Sequence, residues 1–144
     1  MFNKNRNEEF NMGNGFESSP EFKAMIKKSA RDRYIYSVKR IADWEEAWSL
    51  KLTEGFVTTS DKEGNLSMPI WPFKEYAMKC VGDEWENCKT QKIDLHTLIE
   101  EILPNLSEEG TQVVVFKVPE NPEVVRVSAD DFKNNLLYEC SQLE

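Results

Sequence analysis

Histidine is almost absent from this sequence, and cysteine is rare. The 144 residues include one histidine, His96, and three cysteines, none of which lies in a C-x-x-C pair. A Ser-His-Asp or Cys-His site would therefore have a single possible base, and a zinc site would lack ligands. His96 falls two residues into a predicted helix and off its apolar stripe, so we expect it at the surface. The cysteines, Cys80, Cys88 and Cys140, are expected to be free thiols.

Phosphate-binding and nucleophile motifs are also missing. The sequence contains no G-x-x-x-x-G-K-[ST], G-x-G-x-x-G, G-x-S-x-G or H-E-x-x-H pattern. Acidic residues are plentiful, but they fall in loops and near predicted helix ends, where solvated charge is usual, and no spacing matches a calcium loop. We therefore predict that the protein is not an enzyme and uses no cofactor and no metal.

Long hydrophobic segments are lacking as well. The longest uncharged apolar run, Val113 to Phe116, is far too short to cross a bilayer. The first six residues are polar and do not resemble the apolar core of a signal peptide. These features predict a cytoplasmic protein with no membrane partner.

Positive charge is scarce except in one segment. The net charge is −8. Residues 20–42 carry seven Lys or Arg against two acids, a net charge of +5, whereas residues 43–144 carry nine against twenty-one, a net charge of −12. An acidic body repels phosphate backbones, so nucleic acid is not an expected partner. We expect the basic helix to lie across the acidic body, although it also offers a surface for a homo-oligomer.

Apolar periodicity and turn residues predict the order of the elements. Residues 1–19 are rich in Asn, Gly, Glu and Ser and predict a mobile tail, followed by one domain over residues 20–144. The first predicted element is one long helix, capped by Ser19, that runs from Pro20 to about Asp43; a three-stranded meander over 47–52, 56–59 and 66–70 follows, and then a helix over 72–80. A loop with a short strand covers 85–93 and leads to a helix that is capped by Asp94 and ended or kinked at Pro104. The last elements are a central strand over 111–118, its hairpin partner over 124–127 and a final helix that begins at Ser128.

This order lacks regular βαβ repeats and indicates an α+β fold. We predict a single domain with a mixed, mostly antiparallel sheet, a long N-terminal helix, two middle helices and a C-terminal helix.

Tryptophan supplies the remaining signal for a site. Trp71 lies where a strand runs into a helix, and such junctions form ligand crevices in open sheets. Glu75 and Tyr76 follow on the same helix, and Trp48 and Trp85 lie beside acidic clusters. We therefore name Trp48, Trp71, Glu75, Tyr76 and Trp85 as candidate binding residues. Core packing is the alternative for each aromatic side chain.

One stretch carries a family resemblance. The segment Met68-Pro69-Ile70-Trp71-Pro72-Phe73-Lys74-Glu75-Tyr76-Ala77 resembles the bacterial family of unknown function DUF2750. Flanking stretches, Arg33-Tyr34 to Leu50, Ile93-Asp94-Leu95, Leu103-Pro104-Asn105-Leu106 and Val113 to Phe116, fit it too, so the likeness covers about residues 30–140. This resemblance implies no established activity, cofactor or catalytic residue. The order of elements is also similar to that of SseB-type domains, which implies a small binding or regulatory module.

Two hypotheses of function follow. The first is a non-enzymatic interaction or regulatory module whose partner is another protein. An immunity-type inhibitor, with an acidic face that neutralises a basic toxin, is one form of it. The second is a small-molecule or enzymatic site at the Trp71-Pro72 junction, which requires a pocket with convergent polar groups such as Glu75, Tyr76 or Asp94.

Overall fold

Five helices and six strands make up the part of the chain that the structure describes, residues 20–82 and 85–143 of a computed structural model. The helix α4 covers residues 95–109 and has an α-helical start, a π-helical middle and an α-helical end. The elements are α1 (Pro20–Lys27), α2 (Ala30–Trp44), β1 (Glu46–Lys51), β2 (Thr59–Ser60), β3 (Leu66–Ile70), α3 (Lys74–Met78), β4 (Lys89–Asp94), α4 (Leu95–Thr97, Leu98–Ile102 and Leu103–Glu109), β5 (Gln112–Val115), β6 (Val125–Val127) and α5 (Ala129–Gln142).

The prediction of one continuous helix from Pro20 to about Asp43 is wrong, because the chain forms two helices there, α1 and α2. Ser29 has an extended backbone, and its hydroxyl accepts a hydrogen bond of 3.0 Å from the Asp32 amide, which makes Ser29 the cap of α2. Serine competes with helix continuation in this way because its side chain satisfies a free amide at a helix start. The apolar spacing continues across the break, so periodicity alone does not reveal it.

The sheet confirms the mixed, mostly antiparallel α+β prediction, but the three-stranded meander is wrong. β3 lies between β2 and β5, pairing antiparallel with β2 and parallel with β5, and β6 pairs antiparallel with β5. β1 instead pairs antiparallel with β4, which is distant in sequence. The two sheets meet where the backbones of Trp48 and Trp71 exchange hydrogen bonds of 2.9 and 2.8 Å.

The helix starts follow the sequence closely. Asp94 accepts a hydrogen bond of 2.8 Å from the Thr97 amide, and Ser128 accepts one of 3.0 Å from the Asp131 amide, so both predicted caps are confirmed. Pro104 does not end α4. It lies near the start of the last α-helical part, which follows the π-helical turn directly. A residue that cannot donate a backbone hydrogen bond is tolerated at such a start.

Two further predictions concern the ends of the chain and its membrane contacts. The predicted tail over residues 1–19, and with it the Ser19 cap, lies outside the described residues. Within residues 20–82 and 85–143, the helices are too short or too polar to cross a membrane.

A buried arginine joins three parts of the fold. Arg33 on α2 is fully buried, and its guanidinium donates to three backbone carbonyls. Nη1 donates to Lys28 at 2.8 Å, Nε donates to Phe116 at 3.1 Å, and Nη2 donates to Glu123. Burial lowers the pKa of Arg33, and the nearby Glu123 carboxylate opposes that shift. The guanidinium thus connects the end of α1, the residue after β5 and the loop before β6.

We expect Arg33→Met to lower the free energy of unfolding by about 3 kcal/mol or more, because each of three carbonyls loses its donor at about 1 kcal/mol or more. Arg33→Lys should lose less, because an ammonium keeps the charge but cannot reach three acceptors in a fork. Urea unfolding measures both. Arg126→Met, which replaces an exposed arginine on β6, is the control. Equal unfolding midpoints for wild type and Arg33→Met would show that the three bonds contribute little.

Candidate functional site

The five candidate binding residues do not share one environment. Trp71 and Tyr76 are fully buried and Trp85 is 7% exposed, whereas Trp48 and Glu75 are half-buried. The core alternative therefore describes Trp71, Tyr76 and Trp85 in this structure. Trp48 and Glu75 keep surface that a ligand can reach.

The predicted strand-to-helix junction is packed around Trp71. The Trp71 indole donates a hydrogen bond of 2.7 Å to the Lys117 carbonyl, and the ring meets Trp85 edge to face at 6.2 Å between centroids. Pro72 and Phe73, the next two residues, are also buried. The indole and its N–H are thus used to join β3 to the segment after β5.

Trp48 lies on β1 opposite Lys92 of β4. Its indole donates to the Glu46 carboxylate at 3.3 Å, and the Lys74 ammonium lies 5.9 Å from its ring centroid. Glu46 also lies 4.0 Å from the Lys92 ammonium. These contacts place Trp48 at the edge of a small charged surface that holds two lysines and one glutamate.

A second arginine organises the surface next to the junction. The guanidinium of Arg40 on α2 lies 3.5 Å from the centroid of the Trp44 ring and 3.8 Å from that of the Phe73 ring. Stacking between two aromatic faces fixes a guanidinium and attracts its charge. We call this group, with the polar residues around it, the Arg40 cluster; its members are Tyr36, Arg40, Trp44, Phe73, Glu75 and Tyr76.

The aromatic rings of this cluster continue into the core. Tyr76 lies against Phe73 at 5.7 Å and against Phe116 at 4.4 Å between ring centroids. Phe116 also contacts Tyr36 at 6.2 Å and lies under the Arg33 guanidinium. The Arg40 cluster is therefore built on the residue that Arg33 fixes.

The protonation states of the cluster follow from burial. Burial and the Glu21 carboxylate raise the pKa of Tyr36, whose hydroxyl donates to Glu21 at 3.0 Å, and burial raises the pKa of Tyr76. Burial also raises the pKa of Glu75, against the opposing effects of its own backbone amide, Lys74 and Arg40. Both tyrosines hence stay protonated at neutral pH, and Glu75 is the only carboxyl of the cluster.

Catalytic pairings are not seen in the described part of the chain. His96 is exposed, and no described hydrogen bond joins it to a serine or cysteine. Cys88 lines a cleft of about 510 Å³ with Lys74 and Lys89, but burial raises the pKa of its thiol, which disfavours the thiolate nucleophile. Over residues 20–82 and 85–143, no group of three His, Cys, Asp or Glu side chains is placed to hold a metal ion.

Arg33 and Arg40 are not among the residues predicted from sequence, where both contribute only to the charge count of the basic segment. Their spacing holds the signal, since Arg33, Ser37, Arg40 and Trp44 recur at helical intervals on one face. Arginine at both positions also fits side chains that stack and donate in several directions.

Glu75→Gln should raise the melting temperature at neutral pH, because ionised Glu75 is partly desolvated. When folding raises the pKa of a carboxyl, the free energy of unfolding of the protein falls as the pH rises from the ordinary glutamate pKa, about 4.3, to the folded pKa. Above the folded pKa the loss stays constant. The gain from Glu75→Gln should thus vanish as the pH falls through this window. Thermal unfolding across pH 4–8 measures it, with the exposed Glu63→Gln as control. A gain that does not depend on pH would contradict the assignment.

Comparisons with known proteins bear on the family and on nothing finer. No match was found among curated proteins, and none among solved structures. A family model, described as a protein of unknown function (DUF2750), matches residues 34–136. That range contains the cluster residues from α2 and α3, together with the sheet that supports them. Because the match covers most of the chain, the chain belongs to the DUF2750 family of unknown function.

Proposed function

We propose that this chain is a non-enzymatic protein-interaction module of the bacterial cytoplasm, and that its docking face is the seam between α2 and α5. The supporting observation is the placement of exposed apolar side chains. Tyr138 is 62% exposed, Leu143 56% and Ile35 39%, and all three lie along this seam. The other large exposed apolar side chains of the described residues are Leu52, Leu66, Met78 and Leu137.

The seam has the form of two clefts separated by an ion pair. Lys39 on α2 and Glu139 on α5 lie 3.3 Å apart, with Lys39 largely exposed. On one side is a cleft of about 220 Å³ that includes Ile35 and Tyr138, and on the other is a cleft of about 410 Å³ that includes Leu143. The smaller cleft is lined mainly by apolar residues and the larger one mainly by charged residues, and both suit the side chains of a partner; tyrosine is a frequent interface residue.

The dimensions of the seam favour a protein over a small ligand. Twelve helical steps separate Arg31 from Asp43, so the exposed side of α2 extends about 18 Å. A face of this length accommodates three turns of a partner helix. The α2–α5 packing beneath it is fixed by Tyr34, which accepts a hydrogen bond of 2.6 Å from Asn135 and meets Phe132 at 6.2 Å between ring centroids.

An immunity-type inhibitor would use a different face. Exposed carboxylates without neighbouring lysines on the same element are found on α4, where a basic toxin would dock; they are Glu100, Glu101, Glu108 and Glu109. The apolar seam gives stronger support than these charges, because charge alone supplies association rate more than affinity.

The seam proposal predicts that Ile35→Glu/Tyr138→Glu abolishes partner capture. The full chain is used as bait in the native lysate at low and high salt, and bound proteins are identified by mass spectrometry. The matched control is Leu52→Glu/Leu66→Glu, which adds the same charge at exposed apolar residues away from the seam. A partner held by wild type and control but lost by the seam variant supports the proposal. Equal capture by all three, or none by wild type, would refute it.

A small-molecule site near the Trp71-Pro72 junction is the second candidate function, and the Arg40 cluster is what favours it. The cleft of about 410 Å³ is lined by Arg40, Lys39 and Tyr36, which suit a small carboxylate or phosphate, and also by the carboxylates of Asp43 and Glu139, the second of which pairs with Lys39. The indole of Trp71 is fully buried, so a ligand would contact Arg40, Lys39 and Tyr36 and not Trp71.

A thermal-shift screen of small carboxylates and phosphates tests this second candidate. A ligand should raise the melting temperature of the wild type and have a smaller effect on Lys39→Gln, because this change removes a cation of the cleft and leaves the Glu139 carboxylate without its ion pair. Lys62→Gln, an exposed lysine in the turn before β3, serves for comparison. If no compound shifts the wild type, the candidate is wrong.

A further inference from the structure

Four exposed cations flank the joint between α1 and α2. Lys23 and Lys27 are four residues apart on α1, Lys28 follows, and Arg31 is in the first turn of α2, all with exposed side chains. The ion pairs within residues 20–82 and 85–143 are Lys39–Glu139, Lys79–Glu120 and Lys92–Glu46, so none includes these four cations. We call the four side chains the basic patch.

The four cations of the basic patch form no ion pair with the described acids, although Lys39 of the same basic segment pairs with Glu139. Acids do occur at this end of the molecule, but Glu21 accepts from Tyr36, and neither Asp32 nor Asp131 forms an ion pair with the patch. The charge of the patch therefore faces solvent, in a chain whose residues 43–144 carry twenty-one acids against nine bases.

Arg31 lies at a position where a cation destabilises α2. It occupies the first turn of α2, where the helix dipole presents partial positive charge and disfavours a cation. Burial does not explain Arg31 either, since its side chain is exposed. A residue that opposes local stability at the surface is a candidate for a role in binding.

Arg31 connects the basic patch with the seam. Arg31, Ile35 and Lys39 follow each other at intervals of four on α2, so their side chains lie side by side on the same face. Arg33 fixes the joint below, because its guanidinium on α2 holds the carbonyl of Lys28 at the end of α1. A partner that covers the exposed apolar side chains of the seam can therefore reach Arg31 at the start of α2.

We infer that the partner of the seam is an acidic amphipathic segment, with apolar side chains against Ile35, Tyr138 and Leu143 and carboxylates against the basic patch. This inference rests on the proposed function and adds the chemistry of the partner. A long polyanion fits less well, because nucleic acid or an anionic membrane would extend over the acidic body. A second copy fits less well too, since joining the patch of one copy to the acids of another is a head-to-tail contact that propagates unless it closes into a ring.

Labelled peptides test the charge of the partner directly. The first probe is a helical peptide with leucine and tyrosine at i, i+3, i+4 and i+7 and glutamate elsewhere; the second replaces glutamate by lysine; the third keeps glutamate but replaces the apolar residues by serine. Fluorescence anisotropy at low salt should show the first peptide binding at least about tenfold more tightly than the other two. Added salt should weaken the binding of the first peptide.

Arg31→Glu separates binding from folding. It should weaken the first peptide about tenfold or more while leaving the melting temperature equal or higher, because an acid suits the first turn of a helix. Lys62→Glu makes the same charge change away from the patch and should leave affinity unchanged. Loss of affinity in both variants would overturn the inference, because net charge and not the patch would then be responsible.

The remaining outcomes distinguish this inference from the proposed function. Tighter binding of the lysine peptide, or no binding of any peptide while the seam variant still loses its lysate partner, overturns the acidic partner and leaves the interaction module standing. Displacement of the first peptide by single-stranded nucleic acid or anionic vesicles at lower concentration also overturns it. Self-association in sedimentation that Arg31→Glu abolishes would identify a second copy instead. Failure of the lysate experiment alone would remove the proposed function.

Discussion

The buried guanidinium of Arg33 is the interaction on which the rest of the structure depends. A charge taken out of water is costly unless it is hydrogen-bonded, and each of the three guanidinium nitrogens of Arg33 donates to a carbonyl from a separate segment. One of them belongs to Phe116, a buried residue with a left-handed backbone, φ 60°. Such a conformation persists in a bulky residue only where its surroundings hold it. The guanidinium on one side and the Ile70 carbonyl, which accepts from the Phe116 amide at 2.8 Å, on the other provide that support.

This constraint reaches the surface through α2, whose two sides have different tasks. The inward side carries Arg33 and Arg40, seven residues apart, so both guanidinium groups approach the same wall of aromatic rings. The outward side carries Arg31, Ile35 and Lys39. Because the inward contacts fix the rotation of the helix, they also fix which side chains the seam presents. The packing that stabilises α2 thereby determines the proposed docking face.

Local chemistry in the sequence was sufficient for some elements and not for others. The caps at Asp94 and Ser128 need only residues within one helical turn, so the sequence predicts them correctly. The pairing of β1 with β4 depends on contacts between distant segments, which alternation of apolar residues does not encode, and the meander prediction failed for that reason. Similarly, a tryptophan at a strand end indicates a crevice or a core equally well. The Lys117 carbonyl, which accepts from the Trp71 indole, decides for the core, and only the folded chain brings it there.

The basic patch shows why the charge of a segment and its position must be considered together. From composition, a positive helix in a negative protein suggests internal attraction, and one such contact exists, between Lys39 and Glu139. The cations of the basic patch, which precede Lys39 in the chain, are exposed to solvent instead. They lie on either side of Ser29, which caps α2 and separates it from α1. The cap and the acidic Asp32 in the first turn favour α2 at the place where Arg31 opposes it. The helix therefore tolerates an exposed cation at its start, and this tolerance leaves the charge available to a partner.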